Sequence, residues 1–186
     1  MRVISGEYGS RRLKAVPGNN TRPTTDKIKE GMFNLLGGYF DGGRVLDLYG
    51  GSGALAIEAV SRGMDEAVIT EKNRQAVQTI RDNVAITKEE DKFTILQGDN
   101  RASLKKYKST HADFSFDLIF IDPPYRNQTI ETDIQWLEEA GLLNEGTLIV
   151  CESDDQTVLP QNMRDWEKIK EKHYGQSFVR LYQRRI

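Results

Sequence analysis

The chain has 186 residues, 38% of them hydrophobic and 29% charged, with a net charge of −2 and a single cysteine. That length suits one unit, 1–186, with a core large enough to need no cross-links. The lone Cys151 excludes an internal disulfide, no apolar run approaches the ~20 residues needed to span a bilayer, and the N-terminus lacks a signal-peptide core, so a cytoplasmic protein is expected.

Charge is unevenly placed. Residues 1–29 carry seven Arg and Lys against Glu7 and Asp26, and residues 164–186 carry seven against three acids, so basic ends flank an acidic middle. Such ends suit a polyanion docked at one face.

Residues 1–23 read as a basic segment in which Val3-Ile4 and Leu13-Ala15 pair as a small hairpin. Thr24 or Thr25 caps a helix through its hydroxyl, on which Ile28, Met32, Leu35 and Tyr39 recur at helical spacing. Residues 44–48 form a buried strand, followed by a glycine turn and a helix over 54–61. A second strand, 67–70, ends at Glu71, and a helix over 74–87 follows, with Ala76, Val77, Ile80 and Val84 on one face. A third strand, 93–96, ends near Gly98-Asp99, and a fourth, 116–121, ends at Asp122. A helix over 132–140 precedes a fifth strand, 147–151. Residues 166–174 and 177–182 then pair across Gly175-Gln176 as an antiparallel hairpin. The alternation predicts a Rossmann-like α/β fold, a seven-stranded, mostly parallel sheet with a terminal antiparallel hairpin and helices on both faces. Class I methyltransferases share this layout.

Ligands of such sheets bind beyond the C-terminal strand ends. Four consecutive strands end there in a carboxylate: Asp47, Glu71, Asp99 and Asp122. Unpaired carboxylates facing one cleft repel, so the pattern suits a ligand with hydroxyl, amino or cationic groups. Tyr49-Gly50-Gly51-Ser52-Gly53 lets the backbone approach that ligand closely. The run from Gly51 to Ala56 also fits the dinucleotide pattern G-x-G-x-x-A, with Glu71 placed for a ribose. Asp47, however, suits an ammonium or sulfonium and opposes a pyrophosphate. S-adenosylmethionine fits better, with S-adenosylhomocysteine as product. Asp47 then lies near the methionyl end, Glu71 at the ribose, and Asp99 with Gly98 and Asn100 at the adenine amine, with Lys72 also among the cofactor-binding residues.

Asp122-Pro123-Pro124-Tyr125 is the candidate catalytic motif. Two prolines stiffen the turn and remove donors, leaving carbonyls free to accept. An exocyclic base amine is a poor nucleophile because its lone pair is delocalised. Accepting one N–H at Asp122 and one at the Pro123 carbonyl would aim that lone pair at the methyl, with Tyr125 stacked on the base. A base in a folded nucleic acid has to be extruded to reach such a pocket.

These motifs resemble the RsmD family, bacterial 16S rRNA guanine-N2 methyltransferases. The likeness spans nearly the whole chain: Arg2-Val3-Ile4-Ser5-Gly6, Arg22-Pro23-Thr24-Thr25-Asp26-Lys27-Ile28-Lys29-Glu30, Gly50 to Leu55, Glu58-Ala59, Ser61-Arg62-Gly63, the Asp122 motif, Glu152-Ser153 and Leu181-Tyr182. The Asp-Pro-Pro-Tyr motif is shared with adenine-N6 DNA methyltransferases, whereas the Arg-Pro-Thr-Thr helix entry is more specific. The resemblance implies that Arg22 and Thr24 lie near the site mouth and that the basic segment, with Arg11 and Arg12, grips rRNA of the small ribosomal subunit. The family often has Phe-Ala where this chain has Tyr49-Gly50. Three alternatives stand beside this reading: methylation of adenine N6 or another amine, an NAD-dependent oxidoreductase, and a non-catalytic RNA-binding factor. His111 and His173 fall outside every motif and read as surface or structural residues, and no metal-ligand spacing is present.

Overall fold

The computed structural model describes residues 1–18, 25–124 and 129–185. Its centre is one mixed sheet of strands β1 (Arg44–Asp47), β2 (Glu66–Glu71), β3 (Phe93–Gln97), β4 (Phe116–Ile121), β5 (Leu143–Asp154), β6 (Asn162–Met163), β7 (Trp166–Tyr174) and β8 (Ser177–Arg184). The spatial order is β3-β2-β1-β4-β5-β8-β7-β6. β1 to β5 run parallel, and β8 enters antiparallel to β5 and pairs with β7. The sheet therefore has eight strands rather than the expected seven, because two residues of the 155–165 connection add an edge strand to β7. The inner strands are apolar runs because both faces are covered.

The helices are α1 (Asp26–Leu35), α2 (Ala54–Ser61), α3 (Arg74–Thr87), α4 (Asn100–Thr110) and α5 (Ile130–Glu139). α1, α2, α3 and the N-terminal segment cover one face, where Val45, Ile69, Phe120, Val150 and Leu181 meet Phe33, Ile57 and Ile80. α4 and α5 cover the other, where Leu46, Ile119, Ile149 and Tyr182 meet Leu104, Ile134 and Trp166. Three expectations are corrected. The pattern over 100–110 predicts no element, because its turns are polar and Leu104 is the one buried residue, whereas an Asp99 cap starts α4 there. α1 stops at Leu35, so Tyr39 lies beyond the helix and is exposed. The expected hairpin of Val3-Ile4 with Leu13-Ala15 pairs in a different register, with Arg2 opposite Arg12 and the Val3 and Leu13 amides on the Arg11 and Met1 carbonyls, both at 2.9 Å.

That loop is seated by side chains of later elements. Val3, Tyr8 and Leu13 are buried in the core. Glu58, fully buried on α2, accepts the Ile4 and Ser5 amides at 2.8 and 3.1 Å. The same carboxylate pairs with Lys29 Nζ at 3.2 Å and Arg62 Nε at 2.8 Å. Lys29, also fully buried, donates to the Arg2 carbonyl at 2.6 Å. Burial lowers the Lys29 pKa, and the Glu58 charge opposes that shift. A Cβ on Gly6, whose φ is +90°, would overlap the Ser61 carbonyl. Part of the Asp26 to Glu30 motif, and Glu58 with Arg62, therefore builds the scaffold. Removing one member strands buried charge, so Glu58→Ala should lose ~3–5 kcal/mol. That corresponds to a melting temperature roughly 10 °C lower. A thermal melt followed by circular dichroism checks this, and an unchanged melting temperature would show that the cluster does not hold the fold.

Candidate active site

The parallel strands all deliver their C-terminal ends to one rim. The chain runs from β1 outward to β2 and β3, then returns to β4 and β5 on the other side. The crevice between β1 and β4 is thus the point where strand order reverses, the usual ligand position in such sheets. Asp47 ends β1 opposite Phe120, and Asp122, two residues on from Phe120, directly follows β4.

The glycine turn is shaped by its neighbours. Gly50 donates to the Thr70 carbonyl at 2.9 Å and accepts from Gly53 N at 2.8 Å. A Cβ at Gly50 would overlap the Ile69 side chain, and Gly53 begins α2 at φ +82°. The α2 N-terminus is thereby brought up to the rim. Glu71 accepts the Gly51 amide through Oε1 at 2.9 Å and the Asn73 amide through Oε2 at 2.8 Å. Each oxygen keeps a second lone pair, and the carboxylate is held in one orientation.

Asp47 is different. It is 0% exposed, and neither carboxylate oxygen has a hydrogen-bond partner among the described residues. The Tyr49 and Ala56 amides lie near enough to ease the charge slightly without closing a hydrogen bond of ordinary geometry. Burial, and then the Glu71 charge, push its pKa well above the usual aspartate value. An unpaired buried carboxylate costs free energy. Its two open acceptor oxygens fit a ligand with a cationic amino-acid end.

Asp99 is exposed and caps α4, accepting the Ala102 amide through Oδ2 at 3.0 Å, so one oxygen already holds the helix. Gly98 donates to the Glu71 carbonyl at 2.9 Å, at φ +132°. Lys72 is exposed and Ser52 half-buried. The Tyr49 and Asn100 side chains are engaged with the protein itself. The Tyr49 hydroxyl donates to Asp133 Oδ2 at 2.7 Å, lies 3.2 Å from Thr129 Oγ1 and is hydrogen-bonded by Asn100. Arg101 approaches the other Asp133 oxygen at 3.5 Å, and Asp133 is 3% exposed. Burial raises the Tyr49 hydroxyl to about 12 and raises Asp133 as well. This knot joins the turn after β1, the start of α4 and the start of α5. Tyr49→Phe should lower the melting temperature by roughly 3 °C, because one hydrogen bond to a charged group is lost. A differential scan checks this, and no shift would mean that the hydroxyl is not holding Asp133.

Sequence reasoning missed Asp133 and Asn83. Asn83, fully buried, accepts the Lys14 amide at 2.7 Å and donates to the Lys14 and Ser52 carbonyls at 2.9 and 2.8 Å, tying the N-terminal segment to the glycine turn. The available signal was a polar residue interrupting an apolar helix stripe, Asn83 beside Ile80 and Val84 and Asp133 beside Ile130 and Ile134.

Asp122 and Pro123 are half-buried at the rim and Pro124 is exposed, while Tyr125, Arg22 and Thr24 lie outside the described residues. Thr25 is the residue that caps α1, accepting the Ile28 amide at 3.2 Å. Arg11 is turned inward, donating to the Ile86 and Thr87 carbonyls at 3.2 and 3.0 Å, where a cation offsets the negative end of α3. Arg12 is exposed. Much of the C-terminal basic charge also has partners within the fold: Lys168 and Arg180 pair with Glu171, Arg184 with Glu138 and Arg164 with Glu139.

The family model described as conserved hypothetical protein 95 matches residues 1–183. The chain belongs to the RsmD family. Within it, ribosomal RNA small subunit methyltransferase D of Escherichia coli K12 is 34% identical, across 99% of this chain and 90% of that protein. YlbH of Bacillus subtilis, provisionally assigned as an rRNA methyltransferase, is 39% identical over the full length of both. The structure of yhhF from Escherichia coli, provisionally assigned as a methyltransferase, superposes with a TM-score of 0.84 at 32% identity, covering 100% of this chain and 98% of that one. Among the described residues of this RsmD-family protein, no helix is long and apolar enough to cross a membrane.

Proposed function

We propose that this protein transfers a methyl group from S-adenosylmethionine to the exocyclic N2 of a guanine in 16S rRNA, on the small ribosomal subunit in the cytoplasm. Membership of the RsmD family, with relatives named as rRNA methyltransferases matched over 90% to 100% of their length, supports rRNA methylation. The donor rests on one observation above the rest, the buried, unpartnered Asp47 beside the glycine turn. An anion there favours the ammonium and sulfonium end of S-adenosylmethionine and opposes the pyrophosphate of a nicotinamide dinucleotide.

In this reading Asp47 holds the methionyl end, and the Gly50 to Gly53 backbone lies against it. Glu71 uses its two remaining lone pairs for the ribose hydroxyls. Gly98, Asp99 and the backbone of Asn100 border the adenine. Bound S-adenosylmethionine supplies an electrophilic methyl on a positively charged sulfur. Asp122 and the Pro123 carbonyl each accept one N–H of the guanine amine, which points the nitrogen lone pair out of the ring plane toward that methyl. The gain comes from placement and from negative charge fixed where positive charge develops. Asp122 then takes the proton that the nitrogen sheds after transfer. Pro124 shapes the turn, and Tyr125 stacks on the extruded base. The exposed Arg12, with Arg22 and Thr24, meets the RNA at the mouth, and residues 1–23 serve as its gripping segment within a single unit, 1–186.

The test offers methyl-labelled S-adenosylmethionine with small subunits, naked rRNA and DNA side by side, followed by nucleoside analysis. Label in N2-methylguanosine is expected. Label in N6-methyladenosine, or on DNA alone, would overturn the guanine assignment.

A further inference from the structure

Beyond Asp122 the rim is organised by one buried arginine. Ile121 pairs with Cys151 of β5, and β5 runs on to Asp154, so the segment after β5 borders the same mouth. Arg180 on β8 is buried; its guanidinium donates to Ser153 Oγ at 2.6 Å, to the Thr157 carbonyl at 3.1 Å and to Glu171 at 2.7 Å. Thr157 donates its hydroxyl to Asp154 at 2.6 Å, Leu159 is buried in the core, and Tyr182 donates to the Pro160 carbonyl at 2.7 Å. Both flanks of Val158 are therefore pinned, yet Val158 itself is 90% exposed. A single exposed valine is ordinary. A valine held out by a loop fixed on both sides is pre-organised to meet something apolar.

The same arginine lies under a ring stack. Its guanidinium carbon is 4.6 Å from the Phe178 centroid, and the exposed His173 ring stacks on Phe178 at 4.4 Å and 17°. The turn that carries this pair is tied to the end of β5, where Asp155 N donates to the Gln176 carbonyl at 2.9 Å. A backed aromatic ring and a rigid aliphatic tip thus stand on the same rim as Asp122.

We propose that Val158 and His173 form an RNA-contacting lip for the strand that carries the target guanine. Val158 wedges into the base stack as the guanine is extruded, and His173 takes a neighbouring unpaired base on its open face. The lip rests on the rRNA-methylation reading above. It answers a need of that chemistry, since extruding a base leaves a gap that an apolar side chain can fill. A backed ring is a sequence-tolerant platform for the next base.

The test uses the full chain carrying Val158→Ser, His173→Ala or His173→Tyr. Methylation of small subunits is measured alongside binding to an RNA hairpin with 2-aminopurine next to a guanine. Val158→Ser is expected to lower kcat roughly tenfold and to abolish the 2-aminopurine fluorescence rise. His173→Ala is expected to weaken hairpin binding roughly tenfold, with His173→Tyr restoring it. S-adenosylhomocysteine affinity and melting temperature should stay at wild-type values in all three. Wild-type RNA binding and methylation in both Val158→Ser and His173→Ala would overturn the lip, as would a fall in melting temperature that accounts for the losses. If the wild-type protein itself methylates no rRNA, the function reading fails, and hairpin binding still decides the lip separately.

Discussion

Asp122→Ala should lower kcat by about 10³-fold, in line with the loss of a fixed electrostatic partner at a reacting atom, while S-adenosylhomocysteine binds as in the wild type. The two effects separate because the residues lie on different strands. Asp47 and Glu71 end β1 and β2, the glycine turn follows β1, and all keep their contacts when alanine follows β4. Asp122 stands across the crevice, at the place proposed above for the acceptor amine. Asp122→Asn keeps the shape and one accepting oxygen but cannot take a proton, so its rate should fall between alanine and wild type. Single-turnover methyl transfer beside calorimetric titration checks this. Wild-type-like turnover in Asp122→Ala would remove the role given to this carboxylate.

Asp47→Asn should act in opposite directions on stability and on binding. Burial, and then the Glu71 charge, raise the Asp47 pKa. The folded state therefore holds that proton more tightly than the unfolded chain does. Stability from this group is complete below the ordinary aspartate value and is lost as pH rises toward the elevated folded value. Asparagine removes that loss, so at pH 8 the variant should melt roughly 5 °C higher, the equivalent of relieving one unsatisfied buried group. The same change discards the charge proposed for the methionyl end, and S-adenosylhomocysteine should bind at least about tenfold more weakly. Scanning calorimetry from pH 5 to 8, with and without ligand, reads both. A variant neither more stable nor weaker in binding would show that Asp47 carries no strain and holds no ligand.

The parts of the fold that could be read in advance are those that local pattern dictates. The run 116–121 coincides with β4 and 74–87 with α3, because an apolar run buried on both faces and a stripe at helical spacing leave few alternatives. α4 was hidden because one leucine and a capping aspartate decide it, against a surface of Arg and Lys. The polar opening of β5, Leu143 to Gly146, is strand only because β4 lies alongside across an irregular register. Within the site, Asp47, Glu71 and Asp99 stood out because strand ends and glycines mark them. Asp133 and Asn83 did not, since Tyr49 lies 84 residues from the first and Ser52 lies 31 from the second. Arg11 shows the converse. Its charge was legible, but the helix end that receives it was not, so a residue assigned to RNA is shared with α3.

The seating of the N-terminal loop also bears on how the chain reaches its final state. Ile4 and Ser5 are held by Glu58, more than 50 positions later, and Tyr8 donates to Glu89 at a separation of 81. Residues 4–8 thus depend on partners from α2 and from just past the end of α3, and their loop closes across a long stretch of chain. Deleting residues 2–5 would leave the Glu58 and Lys29 charges without the backbone groups that complete their shell. The loop of residues 2–13 is a closing piece, held by chain that lies far from it in sequence.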